Sequence, residues 1–264
     1  MDPRTSAFYD SQAQMLAERY EGVPSPVEPY FPMAFAAGAR VLDIGCGSGR
    51  DVARLLAHGY DAFGIEPTPG LREAAVVSHP ELAGRLLNGS LPDRIDAFGG
   101  DFDGVLCSAV LMHVPDTELL DAALSIRAVL KPQGKLLLSL PASRPDAGPE
   151  NRDINGRLFA PYTAEEISLL FERLGFQLIH RWDTDDSFGR GGIRWFTFLL
   201  ALRDTGTQRP IDQIETILNR GLKEATHKLA LFRALAEVAT QEARTAVWCT
   251  NGEVGVPIRR IAEL

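Results

Sequence analysis

From residue 40 onward, short apolar runs alternate with amphipathic stretches, and this rhythm limits the fold more than any other feature of the chain. The runs are VLDI, DAFGI, FDGVLC, KLLLSL, FQLIHRW and IRWFTFLLAL; between them lie DVARLLAHG, TPGLREAAVV, TELLDAALSIRAVL and TAEEISLLFERLG. Short, continuously apolar runs suit strands buried on both faces, and intervening helices let successive strands run parallel. Counting RLLNG at 85–89 gives seven strands. The last two are joined by DTDDSFGRGG, too short for a crossover helix, so the final strand should be antiparallel. Helix ends are expected near Gly59, Gly134 and Gly175, with the turn at 131–134 closing the fourth helix. Thr163 and Glu166 have the spacing of a capping box that opens the fifth.

The two ends have a different character. Residues 5–20 read as a helix that stops at Glu21-Gly22, and Pro24, Pro26, Pro29 and Pro32 then exclude regular helix, so residues 1–32 should form a helical cap and a stiff connector. Residues 1–208 are expected to form the main domain and 209–264 a small, mainly helical module. In the module, Ala225, Leu229, Phe232, Ala236 and Ala239 share one face of a helix predicted over 222–240. Asn251-Gly252 signals a hairpin, and Pro257 suits the first turn of a closing helix.

Composition narrows the function. The 264 residues are 45% apolar, enough for a sizeable core. No run of about 18 apolar residues and no basic-then-apolar leader is present, so the expected location is cytoplasmic, without a membrane span. Cys46, Cys107 and Cys249 are far apart, which argues against a disulfide framework and against a zinc site; no metal is expected. The net charge of −8 divides into −9 before residue 209 and +1 after it. That balance disfavours a general phosphate-backbone binder, although a local nucleic-acid contact is not excluded.

The most specific local signal is VLDIGCGSGR at 41–50. A strand, a glycine loop and a helix in that order aim backbone N–H groups at a ligand. Dinucleotide sites use G-x-G-x-x-G; here the glycines are Gly45, Gly47 and Gly49, with Arg50 at the position of the third fingerprint glycine. Asp43 at the strand end would repel a pyrophosphate and favour a cationic ligand. Glu66 ends the second strand 23 residues after Asp43, where an acid can accept hydrogen bonds from both hydroxyls of a ribose. S-adenosylmethionine carries a ribose, an ammonium and a sulfonium and no phosphate, and it meets these demands.

These residues resemble the first motif of the class I S-adenosylmethionine-dependent methyltransferases, and the similarity extends through most of residues 5–203. GIEP, NGSLP, FDGVLCSAVLMHV and LKPQGKLLLSLP are similar to that family's later segments. The resemblance implies a Rossmann-like, seven-stranded, mostly parallel sheet and S-adenosylmethionine as cofactor. It also implies that Asp43, Gly45, Cys46 and Gly47 line the methionine and ribose, that Glu66 and Pro67 hold the ribose hydroxyls and adenine edge, that Ser90 and Leu91 line the adenine, and that Cys107 and Ser108 lie beside the methyl group. Ser90 departs from the family's frequent aspartate, leaving a weaker acceptor for the adenine amine.

Methyl transfer from a sulfonium depends mainly on alignment, and a base is needed only for an acceptor protonated at neutral pH. His113, just after the fourth strand, is the best-placed candidate; the alternative is that it packs or lines the acceptor pocket. The acceptor itself is not legible. A [DN]-P-P-[FYW] element and a Pro-Cys nucleophile are both missing, which argues against two nucleic-acid methylation chemistries and favours a small molecule. A closed pocket under about 1,000 Å³ would agree with that, whereas a long positive groove would point to nucleic acid. Arg144, Arg152, Arg157, Arg190 and Arg194, with Tyr162, lie in long loops at the expected rim. The expectation is that such arginines are solvated, the alternative a clamp on an acceptor bearing a carboxylate or phosphate. Tyr9 and Tyr20 place the first helix either as a lid over the cofactor or as a plain cover for the sheet. The 209–264 module would serve a homodimer or a partner protein. Its KEATHKLALFRALAEVA run is similar to segments of bacterial proteins with nuclease-like regions, so a second reading is an S-adenosylmethionine-binding sensor or structural module of a nucleic-acid modification or defence system.

Overall fold

The computed structural model describes residues 2–93 and 95–204, together with two short strands, Val247–Trp248 and Val254–Gly255. The chain divides into two units, Met1–Gln208 and Arg209–Leu264. The first unit runs α1 (Pro3–Glu21), α2 (Phe31–Ala34), β1 (Arg40–Ile44), α3 (Arg50–Ala57), β2 (Asp61–Ile65), α4 (Pro69–Ser78), β3 (Leu86–Leu87), β4 (Phe102–Ser108), α5 (Leu119–Val129), β5 (Leu130–Pro141), α6 (Ala164–Arg173), β6 (Phe176–Asp185) and β7 (Arg194–Leu202).

Its strands form one sheet in the order β3-β2-β1-β4-β5-β7-β6. The pairs from β3 to β5 are parallel, and β7 is antiparallel to both β5 and β6. This is the expected α/β architecture, with the antiparallel final strand enforced by the short link before it. Neighbouring residues of each central strand go to opposite faces. Leu42, Val105, Leu136 and Leu138 pack with Ala122, Ile126, Ile167 and Phe171 on one side. Val41, Leu106 and Leu137 pack with Phe31, Val52 and Leu55 on the other. Both faces are covered, which is why the runs are apolar at every position rather than at alternate ones.

The chain first builds outward from β1 to β3, then returns to place β4 on the other side of β1. That reversal opens a crevice at the C-terminal strand ends, where open α/β sheets bind ligands.

Two local expectations need correction. The proline-rich connector contains α2, because Pro32 falls in its first turn, where the missing N–H is not needed. The turn at 131–134 does not end the fourth helix: α5 stops at Val129, and Gln133, at φ 66°, makes an irregularity inside β5 opposite Phe102 and Gly104. The other signals are obeyed. Thr163 and Glu166 form the capping box of α6, and α1 ends against Gly22.

In the second unit, β8 (Val247–Trp248) and β9 (Val254–Gly255) pair antiparallel, on either side of Asn251-Gly252. That turn, the helix expected over 222–240 and the closing helix at Pro257 lie outside the described residues. No described helix is long and apolar enough to cross a membrane.

Candidate functional site

The glycine loop is folded back on β2. The backbone N–H groups of Gly45 and Cys46 both donate to the Ile65 carbonyl, at 2.8 and 3.1 Å. This brings the next residue of the second strand, Glu66, beside the loop. Its carboxylate accepts from the N–H of Gly47 at 3.0 Å and of Thr68 at 2.9 Å, so it is fixed in place before any ligand arrives. Burial raises its pKa, with the two backbone N–H donors opposing the shift.

Two glycines are required by geometry. Gly45 has φ +66°, and a Cβ there would lie 2.6 Å from Val110 Cγ2. Gly49 has φ +76°, and a Cβ there would lie 2.5 Å from Leu82 Cδ1. The third glycine therefore seats α3 against its neighbours, and Arg50 is free for another task. Its guanidinium donates to the carbonyls of Tyr20 and Val23 at 3.1 and 3.2 Å, tying the end of α1 to the loop. Ser48 donates to Glu21 at 2.9 Å on the same side.

A cavity of about 240 Å³ opens over this loop. Of the residues expected there, Gly45, Cys46, Gly47, Glu66, Pro67, Ser90, Leu91, Ser108 and His113 line it. Asp43 and Cys107 stand behind the lining rather than in it. Cys107 alternates with Ser108 along β4 and joins the core on the α5 side. Asp43 is 3% exposed, and burial, reinforced by Asp51 and Glu66, raises its pKa well above the usual carboxylate range. Among the described lining residues, Asp51 and Glu66 are the acids that follow the tips of β1 and β2, and they suit a cationic ligand.

The opposite end is built by the loops after β4, β5 and β6. His113 is buried at 6% exposure, and its ring is held from two sides. Nδ1 lies 2.6 Å from the Leu158 carbonyl, and Nε2 lies 3.1 Å from the Tyr9 hydroxyl. A carbonyl can only accept, so Nδ1 carries the proton and Nε2 accepts from Tyr9. Burial pushes the pKa of His113 down to about 4, and the charges of Arg157 and Arg144 act in the same direction against the Leu158 carbonyl. The imidazole is neutral at pH 7, with its basic nitrogen directed at a residue of α1.

Sequence reasoning missed how closely α1 is built into the site. Thr5 Oγ1 accepts from the Leu158 N–H at 2.9 Å, and the Asp2 carboxylate caps the helix through Thr5 while pairing with Arg152 at 2.8 Å. Tyr9, Leu16, Arg19 and Tyr20 all line the cavity. The helix is a wall of the pocket, packed on α4 through Ala13, Leu16, Ala17 and Leu71, and not a plain cover for the sheet. The only hint in the sequence was the spacing of two tyrosines.

The arginines also depart from expectation. Arg144 and Arg157, with side chains 6% and 16% exposed, line the cavity together with Arg190 instead of extending into solvent. Arg152 serves Asp2, and the Tyr162 hydroxyl donates to the Val114 carbonyl at 2.7 Å; both are structural.

A parallel sheet with a reversal at β1 and β4, a glycine loop, a fixed acid at the tip of β2 and a crevice over the strand ends are the features of the class I S-adenosylmethionine-dependent methyltransferases. Residues 15–181 match the family model described as a methyltransferase domain, and the chain belongs to that family. Residues 207–264 match a second model, described as a domain of unknown function. The ubiquinone biosynthesis O-methyltransferase of Xanthomonas axonopodis pv. citri is 37% identical over 125 residues, covering 46% of this chain and 48% of that protein. The chain thus spans about half the length of the curated relatives it matches. Among solved structures, the 1,6-didemethyltoxoflavin-N1-methyltransferase of Burkholderia thailandensis, with its substrate and S-adenosylhomocysteine bound, has a TM-score of 0.61 at 19% identity, covering 76% of this chain and 88% of that one. The [4+2]-cyclase SpnF has a TM-score of 0.57 at 16% identity, covering 75% and 95%. At these identities the likeness is one of fold.

Proposed function

We propose that the chain transfers a methyl group from S-adenosylmethionine to a small molecule, and that His113 accepts the acceptor's proton through Tyr9. Since the fold also supports a cyclase, the fold alone does not carry this reading. The observation that carries it is the neutral His113, its basic Nε2 facing Tyr9 in the same cavity as the glycine loop and Glu66.

The residues present fit the cofactor. Glu66 would take the ribose hydroxyls and Pro67 the adenine edge. Ser90 and Leu91 would border the adenine, and Gly45, Cys46 and Gly47 the methionyl chain. Asp43 would support the loop from behind, with Cys107 backing Ser108 near the reacting end. When bound, S-adenosylmethionine supplies an already activated methyl group, so the protein's work is alignment and exclusion of water. Tyr9 and Tyr20 close the cavity from the α1 side. An acceptor hydroxyl or amine would pass its proton to the Tyr9 oxygen as the Tyr9 O–H proton moves to His113 Nε2, with the Leu158 carbonyl accepting from Nδ1–H and holding the tautomer.

The O-methyltransferase relatives favour a hydroxyl acceptor. The small volume of the cavity, about 240 Å³, favours a small molecule over nucleic acid, and a cytoplasmic location agrees with such a substrate. The 209–264 module would serve self-association or a partner protein. The test is incubation of purified protein with S-adenosylmethionine and a panel of hydroxylated aromatic compounds, scoring S-adenosylhomocysteine release and the mass of the methylated product. Turnover abolished by His113→Asn supports the reading. Tight cofactor binding with no turnover of any acceptor supports a sensor instead.

A further inference from the structure

The cavity is lined by charges of both signs. Asp51, Glu66 and Asp185 are the acids among its described lining residues; Arg144 and Arg157 come to it from the loop after β5 and Arg190 from the loop after β6. Each of three arginines is braced from behind. Asp146 holds Nε and Nη2 of Arg144 at 2.7 and 2.6 Å, and Asp153 holds the same atoms of Arg157 at 2.9 and 2.6 Å. Asp186 holds those of Arg190 at 3.0 and 2.6 Å. None of the three aspartates lines the cavity. A guanidinium has five N–H donors, and this side-on pairing uses two; the remaining edge of Arg144 and of Arg190 is left for other acceptors, while Arg157 also donates to the Tyr9 hydroxyl.

Aromatic rings lie against these forks. Arg144 is 3.5 Å from the Phe159 centroid, Arg157 is 4.5 Å from that of Phe8 and 5.2 Å from that of Phe159, and Arg19 and Arg190 are 4.8 and 5.3 Å from that of Phe188. Phe159, Phe188 and Trp195 are themselves walls of the cavity. Ion pairs made only for stability would have no reason to turn their cationic members inward and keep the carboxylates outside. Buried N–H donors facing a pocket call for an acceptor to satisfy them.

From this arrangement, and resting on the methyltransferase reading above, we propose that the methyl acceptor is a small aromatic compound bearing an oxyanion, carboxylate or phosphate, held by Arg144, Arg157 and Arg190. The ring packs against Phe159, Phe188 and Trp195, and the anion faces the arginine edges. Binding the anion also offsets the positive field of Arg144 and Arg157 on His113, so the base gains proton affinity when the acceptor is in place. An uncharged acceptor would leave the outer edges of Arg144 and Arg190 without an anionic partner, which gives discrimination against it.

The experiment uses the full chain saturated with S-adenosylhomocysteine, titrated by calorimetry with 4-hydroxyphenylacetate, its methyl ester and phenyl phosphate. Either anion should bind at least tenfold more tightly than the ester, and whichever binds more tightly identifies the group. Arg144→Gln, whose partner Asp146 is half exposed, should cut that preference at least fivefold while the affinity for S-adenosylhomocysteine is unchanged. The paired change Arg157→Gln with Asp153→Asn, which leaves no buried carboxylate unpaired, should do the same. Equal or tighter binding of the ester, no binding of either anion, or a preference that survives both variants overturns the proposal alone. Failure to bind S-adenosylhomocysteine overturns the methyltransferase reading and this proposal with it.

Discussion

A buried imidazole that stays neutral makes the protein's stability depend on pH in a way that can be isolated at one residue. His113 has a folded-state pKa of about 4 against the ordinary 6.5. The folded value is depressed, so as pH falls the unfolded chain takes up the proton first and stability declines. The loss begins near the unfolded value and levels off once pH passes below the folded one. Between pH 7 and pH 5 those two values give a loss of about 2 kcal/mol, approaching about 3 kcal/mol at the limit. Other buried groups titrate over the same range, so the measurement must be a difference. His113→Asn supplies it: the amide N–H can replace Nδ1–H against Leu158, and nothing titrates. Urea denaturation of both proteins at pH 7 and pH 5 should show wild type losing about 2 kcal/mol more than the variant. If the two curves shift equally, His113 is not held neutral by burial, and the tautomer argument for its role as a base fails.

Three further outcomes follow from the same geometry. Glu66→Ala should weaken S-adenosylmethionine binding by more than tenfold, about 1.4 kcal/mol, in calorimetry. Because burial raises the pKa of Glu66, wild-type affinity should also fall as pH drops into the acid range; a pH-independent affinity there would contradict this. Gly49→Ala should destabilise the protein by about 2–4 kcal/mol in thermal unfolding, since a left-handed backbone and the contact with Leu82 both oppose a methyl group. Removal of residues 209–264 should leave cofactor affinity unchanged, because the described residues that line the cavity all precede residue 198; lost binding in a soluble truncation would place part of the site in that module.

The sheet was legible because it depends on local rules. Runs buried on both faces, helices between them and one short link were sufficient to foresee the parallel strands and the antiparallel last one. The glycine-loop side of the cavity was nearly as legible, since Gly45, Gly47 and Glu66 are placed there by backbone geometry over a short stretch of chain. The acceptor end was not. His113 was identifiable, but its partners Tyr9 and Leu158 lie 104 and 45 residues away in sequence, and no local pattern reports such pairings. The arginines were misjudged for the same reason. Whether a loop arginine extends into water or turns inward depends on the ring beneath it and the carboxylate behind it, and both are matters of tertiary packing. Asp43 and Cys107 show a finer limit: one residue along a strand separates a lining side chain from a core one.

The order of strands across the sheet has a consequence for how such a protein can diverge. Glu66 and the glycine loop sit at the tips of β1 and β2, while Arg144, Phe159, Phe188, Arg190 and Trp195 come from the loops after β5 and β6 and the start of β7. The two groups occupy opposite halves of the sheet and separate stretches of the chain. Under the proposed function, exchange of residues 142–162 and 186–195 between relatives would change the arginine and aromatic walls as a block and leave the glycine loop and Glu66 in place, with α1 and His113 as the partners that the first loop must still meet.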